Sequence, residues 1–190
     1  MKKYGLEKFN NLVDALNTLP TVGKKSALRF AYHMVTKDTF SALKISHAIE
    51  DAVLSVRRCE KCGALSEDEI CAICSSESRD KKKLCIVENA KDIFVLEDNT
   101  EFNGRYFVLE SLEALDIKKL KEVLSDEVEE VIFALSPSLS NDAIIFFLED
   151  KIKEFNLQFT KIAQGVPTGI NLENVDMLSL SKALELRVKT

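Results

Sequence analysis

The chain has 190 residues, with 46% hydrophobic and 30% charged side chains, six glycines, three prolines and no tryptophan. Apolar residues are too abundant for a disordered or collagen-like polymer, no fixed period marks a repeat array, and the length suits one large or two small domains. The net charge of -5 hides a gradient: residues 1–37 carry Lys2, Lys3, Lys8, Lys24, Lys25, Arg29 and Lys37 against Glu7 and Asp14, or +5, which leaves -10 for the rest. An acidic total argues against a surface coated everywhere by nucleic acid, while a basic end suits either a local phosphate contact or a solvated lysine face. The longest apolar run, Ala143–Leu148, is six residues, whereas a bilayer span needs about 20. Glu7, Lys8, Asn10 and Asn11 break what would be the apolar centre of a secretory signal, and Arg187–Thr190 offers no cysteine for lipidation. The expected location is cytoplasmic, with no membrane partner.

Leu6, Phe9, Val13 and Leu16 recur at helical spacing and predict a first helix that Pro20 ends. Leu19 to Ala27 supplies a turn and starts a second helix to about Val35, with Leu19, Val22, Ala27, Leu28 and Ala31 as core residues. No base-stacking platform for single strands is evident, because Phe30 and Tyr32 also fit burial or a satisfied interior position, and His33 and His47 lack ligand grammar. Ile45, Ile49, Ala52, Val53 and Val56 continue the helical spacing, making residues 1–57 an all-helical unit. From Leu84 the grammar changes. Strand-length apolar runs at Leu84–Glu88, Arg105–Leu109, Val131–Leu135 and Phe159–Ala163 alternate with helical stretches around Ile93, Leu112–Leu124 and Ala143–Ile152. That alternation predicts a mostly parallel sheet covered on both faces, with ligands beyond the strand carboxyl ends at Glu88, Ser136–Asn141 and Gly165–Gly169.

Between the two regions stand Cys59-x2-Cys62 and, eight residues on, Cys71-x2-Cys74. Each pair can place two thiolates on one metal, and the short loop can close a tetrahedral site. Structural Zn2+ is the expected ligand, with an iron–sulfur cluster or no metal as the alternatives. Four thiolates leave no open position for water, so the metal braces the fold instead of activating a nucleophile. Cys85, inside an apolar strand, reads as a buried small hydrophobe.

The Pro-x-Val-Gly-Lys-Lys-Ser-Ala turn at Pro20–Ala27, the CxxC-x8-CxxC cluster, the Cys85-Ile86-Val87-Glu88 strand and the Ala163-x-Gly165-Val166-Pro167-x-Gly169 end occur in one order. That set resembles the bacterial recombination mediator RecR family over nearly the whole chain. The resemblance implies a multidomain α+β protein: a helix-hairpin-helix unit at 1–57, a four-cysteine zinc finger at 58–78, a Toprim-like α/β domain at 79–163, and a Walker-B-like and oligomerisation segment at 164–190. It further implies a non-enzymatic DNA-repair factor, a homodimer or homotetramer that works with RecO and RecF to load recombinase on single-stranded DNA.

In the resembled hairpin, backbone donors meet phosphate oxygens, which suits Gly23 and the unpaired N–H groups of the next helix start. Lys24, Lys25 and Arg29 add positive charge there. Thr21 stands where the first hairpin glycine is usual. A catalytic Toprim domain uses a glutamate after its first strand and a later Asp-x-Asp pair to hold magnesium; Glu88 matches the first position, but the later strand ends Leu135-Ser136-Pro137-Ser138. Two family glutamates are missing from Ser136–Ile144, where Asp142 is the acid that remains, and Leu109–Glu113 shortens a glycine-rich loop. Glu88 and Asp142 therefore read as a partner contact or a residual Toprim site, with capping of the following helix as a further role for Glu88. There is no Gly-x4-Gly-Lys-Ser/Thr loop, Gly23-Lys24-Lys25-Ser26 is no substitute, and ATP hydrolysis is not expected. Gly165–Gly169 suits a phosphate-facing loop or, preferably, a subunit contact. The expected function is a DNA-binding clamp or scaffold; the alternatives are a RecO-binding adaptor with little DNA binding alone, and a degenerate magnesium-dependent phosphoryl-transfer enzyme.

Overall fold

A computed structural model describes residues 5–111, 115–125, 127–163, 165, 166 and 168–187. Lys2, Lys3, the expected helix start at Leu112, and Gln164 and Pro167 of the end motif lie outside the described residues. The chain divides into two compact units, Met1–Val56 and Arg57–Thr190.

The first unit holds α1 (Glu7–Leu16), α2 (Lys24–Thr36) and α3 (Thr39–Ser55). Its core is small: Val13, Ala27 and Ala31 are buried, with Phe9, Leu12, Leu16 and Val22 packed around them. Alanines at positions 27 and 31 let the α1 and α2 backbones approach closely, so the pairing needs few large side chains. Leu19 and Leu28, expected in the core, are instead 50% and 44% exposed, because the turn and the outer side of α2 carry them away from α1. Phe30 and Tyr32, which also fit burial, are exposed as well. Asp38 caps α3 by accepting from Ser41 N at 3.0 Å, yet no residue of α3 is buried. The stripe of Ile45, Ile49, Val53 and Val56 stands exposed.

The second unit begins with a short antiparallel pair, β1 (Arg57–Arg58) and β2 (Leu65–Ser66), and α4 (Ala72–Ser75). There follow β3 (Asp80–Val87), α5 (Ala90–Asn99), β4 (Gly104–Val108), α6 (Ile117–Leu124), β5 (Glu130–Ala134), α7 (Leu139–Ile152), β6 (Gln158–Lys161) and α8 (Met177–Glu185). The four longer strands form one parallel sheet in the order β4-β3-β5-β6, as the strand–helix alternation requires. Side chains alternate between its faces. Leu84, Ile86, Phe107, Val131 and Phe133 join Leu120, Val123 and Leu124 of α6 and Leu148 and Ile152 of α7 in one core. Cys85, Val87, Tyr106 and Val108 point the other way, into a second core with Ala90 and Ile93 of α5 and with Cys59, Cys62, Ala64 and Cys71. The cysteine segment thus covers part of one sheet face.

Arg79 ties the start of β3 to its surroundings: it pairs with Glu97 of α5 and donates to the carbonyls of Phe102 at 3.1 Å and Gly104 at 3.3 Å. The Tyr106 hydroxyl donates to the same Glu97 carboxylate at 2.7 Å. The Arg79 hydrogen bond holds Glu97 below its ordinary value of 4.5, with Tyr106 assisting. A depressed carboxylate stabilises the fold above about its unfolded value and loses that contribution as the pH falls through the folded one. We expect urea unfolding to show Glu97→Gln less stable than the parent at neutral pH, with the difference vanishing in acid below 4.5.

Candidate functional site

The CxxC spacing folds each cysteine pair back on itself. Cys59 N donates to Ala64 O at 2.7 Å, Gly63 N donates to Cys59 O at 3.0 Å, and Gly63 takes the left-handed φ of 78° that closes the first knuckle. A single turn, α4, does the same for the second, with Cys71 Sγ accepting from Cys74 N at 3.5 Å. The four sulfurs converge within 4.8 Å of one another, and Cys62 Sγ lies 3.6 Å from Cys71 Sγ. Sulfurs bound at about 2.3 Å around a tetrahedral zinc sit about 3.8 Å apart, so the cluster fits one such ion. Backbone N–H groups of Cys71 and Ala64 reach Cys59 Sγ at 3.3 Å and Cys62 Sγ at 3.5 Å, as suits sulfur that carries negative charge. Hydrogen bonding with Cys62 pulls the Cys71 thiol well below its ordinary range. Cys85 stands apart: burial pushes its thiol up to about 12, so it remains protonated packing material.

The knuckle is seated on the sheet by three contacts that the sequence did not reveal. Val108 N, at the end of β4, donates to Cys62 O at 2.8 Å. Arg58 pairs with Glu110, and Lys119 Nζ of α6 donates to Cys59 O at 3.3 Å. A side chain at position 63 would meet Val108 Cβ at 3.3 Å, so glycine serves close packing there as well as φ. Val108 and Lys119 lie 46 or more positions from the cysteines they serve, beyond any local motif.

At the sheet's carboxyl edge, Glu88 Oε1 accepts from Ser136 N at 2.8 Å and from Asn141 Nδ2. Asn141 Nδ2 also reaches Ser136 O at 2.7 Å. Glu88 therefore does not cap α5; Asn89 and Asp92 form that capping box. Asp142 pairs with Lys161 at 3.5 Å. Among the described residues the four cysteines are the group of three or more His, Cys, Asp or Glu side chains with metal-ligand spacing, and Glu88 and Asp142 join no such group.

In the helical unit, Thr21 occupies the left-handed region at φ 66°, the conformation a glycine would take there without strain. The turn then delivers Gly23, extended at φ -82°, to the start of α2. A side chain added at Gly23 would meet nothing within 4 Å, so no internal contact demands glycine there. Among the described helices of eight or more residues, α1 and α2 start without a side-chain cap. Lys24, Lys25 and Arg29 are exposed around the open α2 start, and the helix contains no carboxylate.

Comparison with known proteins matches residues 9–53 to the RecR helix-hairpin-helix, 56–76 to the four-cysteine zinc finger domain of RecR and 82–163 to a Toprim domain. The chain is 58% identical to Recombination protein RecR of a Nitratiruptor species, with 97% of each chain covered. The chain belongs to the RecR family. RecR of Campylobacter jejuni subsp. doylei is 53% identical over 97% of this chain and 98% of its own. RecR of Helicobacter pylori (strain Shi470) is 50% identical over 98% and 97%. The four-cysteine cluster of this RecR-family chain is a structural zinc site, and its family supports a role in recombinational repair.

Because the cysteines share a core with β3 and β4, zinc extraction should loosen the sheet and not only the finger. Metal analysis should find one zinc per chain, lost with Cys71→Ser and kept with Cys85→Ala, and the zinc-depleted protein should melt at lower temperature by circular dichroism. Thr21→Gly should stabilise the helical unit by about 1 kcal/mol in urea titrations, since relief of the strained φ exceeds the entropy that glycine adds to the unfolded chain.

Proposed function

We propose that this RecR-family chain is a DNA-binding recombination mediator. It acts as an oligomeric clamp or scaffold with RecO and RecF in the bacterial cytoplasm, promoting recombinase loading without turnover of its own. The observation that carries this reading is the open start of α2. An uncapped helix N-terminus, an exposed Gly23 with room for close approach, and three cations with no carboxylate on the helix suit phosphate oxygens and read no base.

Oligomer formation is supported by the exposed apolar stripe of α3, which a monomer leaves in water. Joined copies raise the effective concentration of weak phosphate sites, while the acidic remainder of each chain limits indiscriminate coating. Within this scheme residues 1–57 contact DNA, 58–78 brace the chain through zinc, 79–163 present partner surfaces, and 164–190 support assembly. The absence of turnover is supported by the Glu88 carboxylate, whose oxygen is already engaged by Ser136 and Asn141, and by the missing Asp-x-Asp. The acidic balance of residues 38–190 favours a second reading, a RecO-binding adaptor that needs its partner to reach DNA.

Fluorescence anisotropy of the zinc-loaded protein on single-stranded and duplex DNA, with and without RecO, separates the two across a salt series. Replacing Lys24, Lys25 and Arg29 together by Gln should lower low-salt affinity roughly tenfold or more and reduce the log–log salt slope by about 2 to 3. Unchanged low-salt affinity would reject the clamp, and binding only with RecO would select the adaptor. Glu88→Gln should leave DNA binding intact, with no magnesium-dependent turnover of DNA in either protein.

A further inference from the structure

Tyr32 is a large aromatic side chain on α2 that the core of the helical unit does not use. It is 56% exposed, packs in no core cluster, and its hydroxyl has no hydrogen-bond partner among the described residues. Its place on α2 is informative. With 3.6 residues per turn, Lys25, Arg29 and Tyr32, at spacings of four and three, form one stripe along the helix. Ala27 and Ala31, both fully buried, lie on the opposite side. The stripe therefore faces solvent, begins at the uncapped N-terminus, and combines two cations with one aromatic ring. Arg29 is further held by the Phe30 ring, whose centroid lies 5.6 Å from the guanidinium carbon.

We propose that Tyr32 is a base-stacking residue for single-stranded nucleic acid, with Lys25 and Arg29 holding the phosphates beside the stacked base. This rests on the reading of α2 as a DNA contact and adds the strand state that the contact selects. Phosphate contacts alone serve duplex and single strand alike, whereas the face of a base reaches an exposed ring only when it is unstacked from its neighbours. A positively charged track with an aromatic platform is the combination that single-strand binding needs.

Charge decides against a second copy of the chain as the occupant. A two-fold contact through this stripe would bury the positive charge of Lys25 and Arg29 beside the same charge of the second copy with no carboxylate on the helix to offset it, and lysine is depleted from the cores of protein interfaces. The α3 stripe of Ile45, Ile49 and Val53 is uncharged and has no such conflict.

Three DNA probes of equal length test the inference: a single strand, an abasic strand that keeps the phosphates, and a duplex. The parent protein should bind the single strand more tightly than the abasic one. Tyr32→Ala should lose about 5- to 100-fold on the single strand, within the range of one base–aromatic stack, and nothing on the abasic strand or duplex. Tyr32→Phe should retain affinity, and Tyr32→Trp should report binding as quenching of the only tryptophan, on the single strand and not on the abasic one. Equal losses on all three probes, or no loss on the single strand, would overturn the stacking role. So would a shift of Tyr32→Ala to a smaller species in sedimentation, which assigns the ring to a contact between copies. If the parent protein binds none of the probes, the DNA reading itself falls. If it binds all three alike and Tyr32→Ala changes nothing, the stacking role falls alone.

Discussion

The larger unit depends on the seating of a four-cysteine cluster against a parallel sheet. Cys59, Cys62 and Cys71 are buried in the same core as Cys85, Val87, Tyr106 and Val108, and the Cys62 carbonyl takes the hydrogen bond that Val108 offers at the end of β4. A parallel sheet must be covered on both faces, and in this chain the metal-closed loop supplies part of the cover that a second helix would otherwise give. The cluster costs nothing in exposed polar backbone there, because its knuckle N–H groups turn inward onto sulfur. Zinc and sheet are therefore parts of one folding unit.

That arrangement also connects the finger to the strand-end surface. Glu110 pairs with Arg58 by its side chain and donates its backbone N–H to Glu88 O at 2.9 Å. Glu88 in turn receives Ser136 N and Asn141 Nδ2 from the β5–α7 loop and the start of α7. The carboxylate that a catalytic Toprim site would offer to a metal is here a crosslink between two segments. That crosslink lies at the carboxyl edge of the sheet, where Pro137 and Ser138 lead on to a cleft of about 620 Å3 that Asp142, Gly165 and Lys182 also line.

The smaller unit follows the opposite economy. Its core holds three buried side chains of modest size, while long apolar and aromatic residues on α2 and α3 face outward. Small residues at the α1–α2 contact let a strained turn at Thr21 bring an open helix start to the surface. The unit commits little of its apolar content to its own stability and leaves the rest exposed.

Much of this was legible in the chain itself. The two hydrophobic periods separated the helical unit from the α/β unit, and the paired CxxC spacing pointed to zinc and its four ligands, because each depends on residues close in sequence. Burial was not legible in the same way: Leu28 and Tyr32 fit a helical core pattern as well as Ala31 does, and only the approach of α1 decides which side of α2 is inside. The same holds for Lys119 on Cys59, Val108 on Cys62 and Asn141 on Glu88. Those contacts join residues far apart along the chain, so their existence follows from the sheet order and the helix placement that bring them together, and not from any spacing the sequence displays.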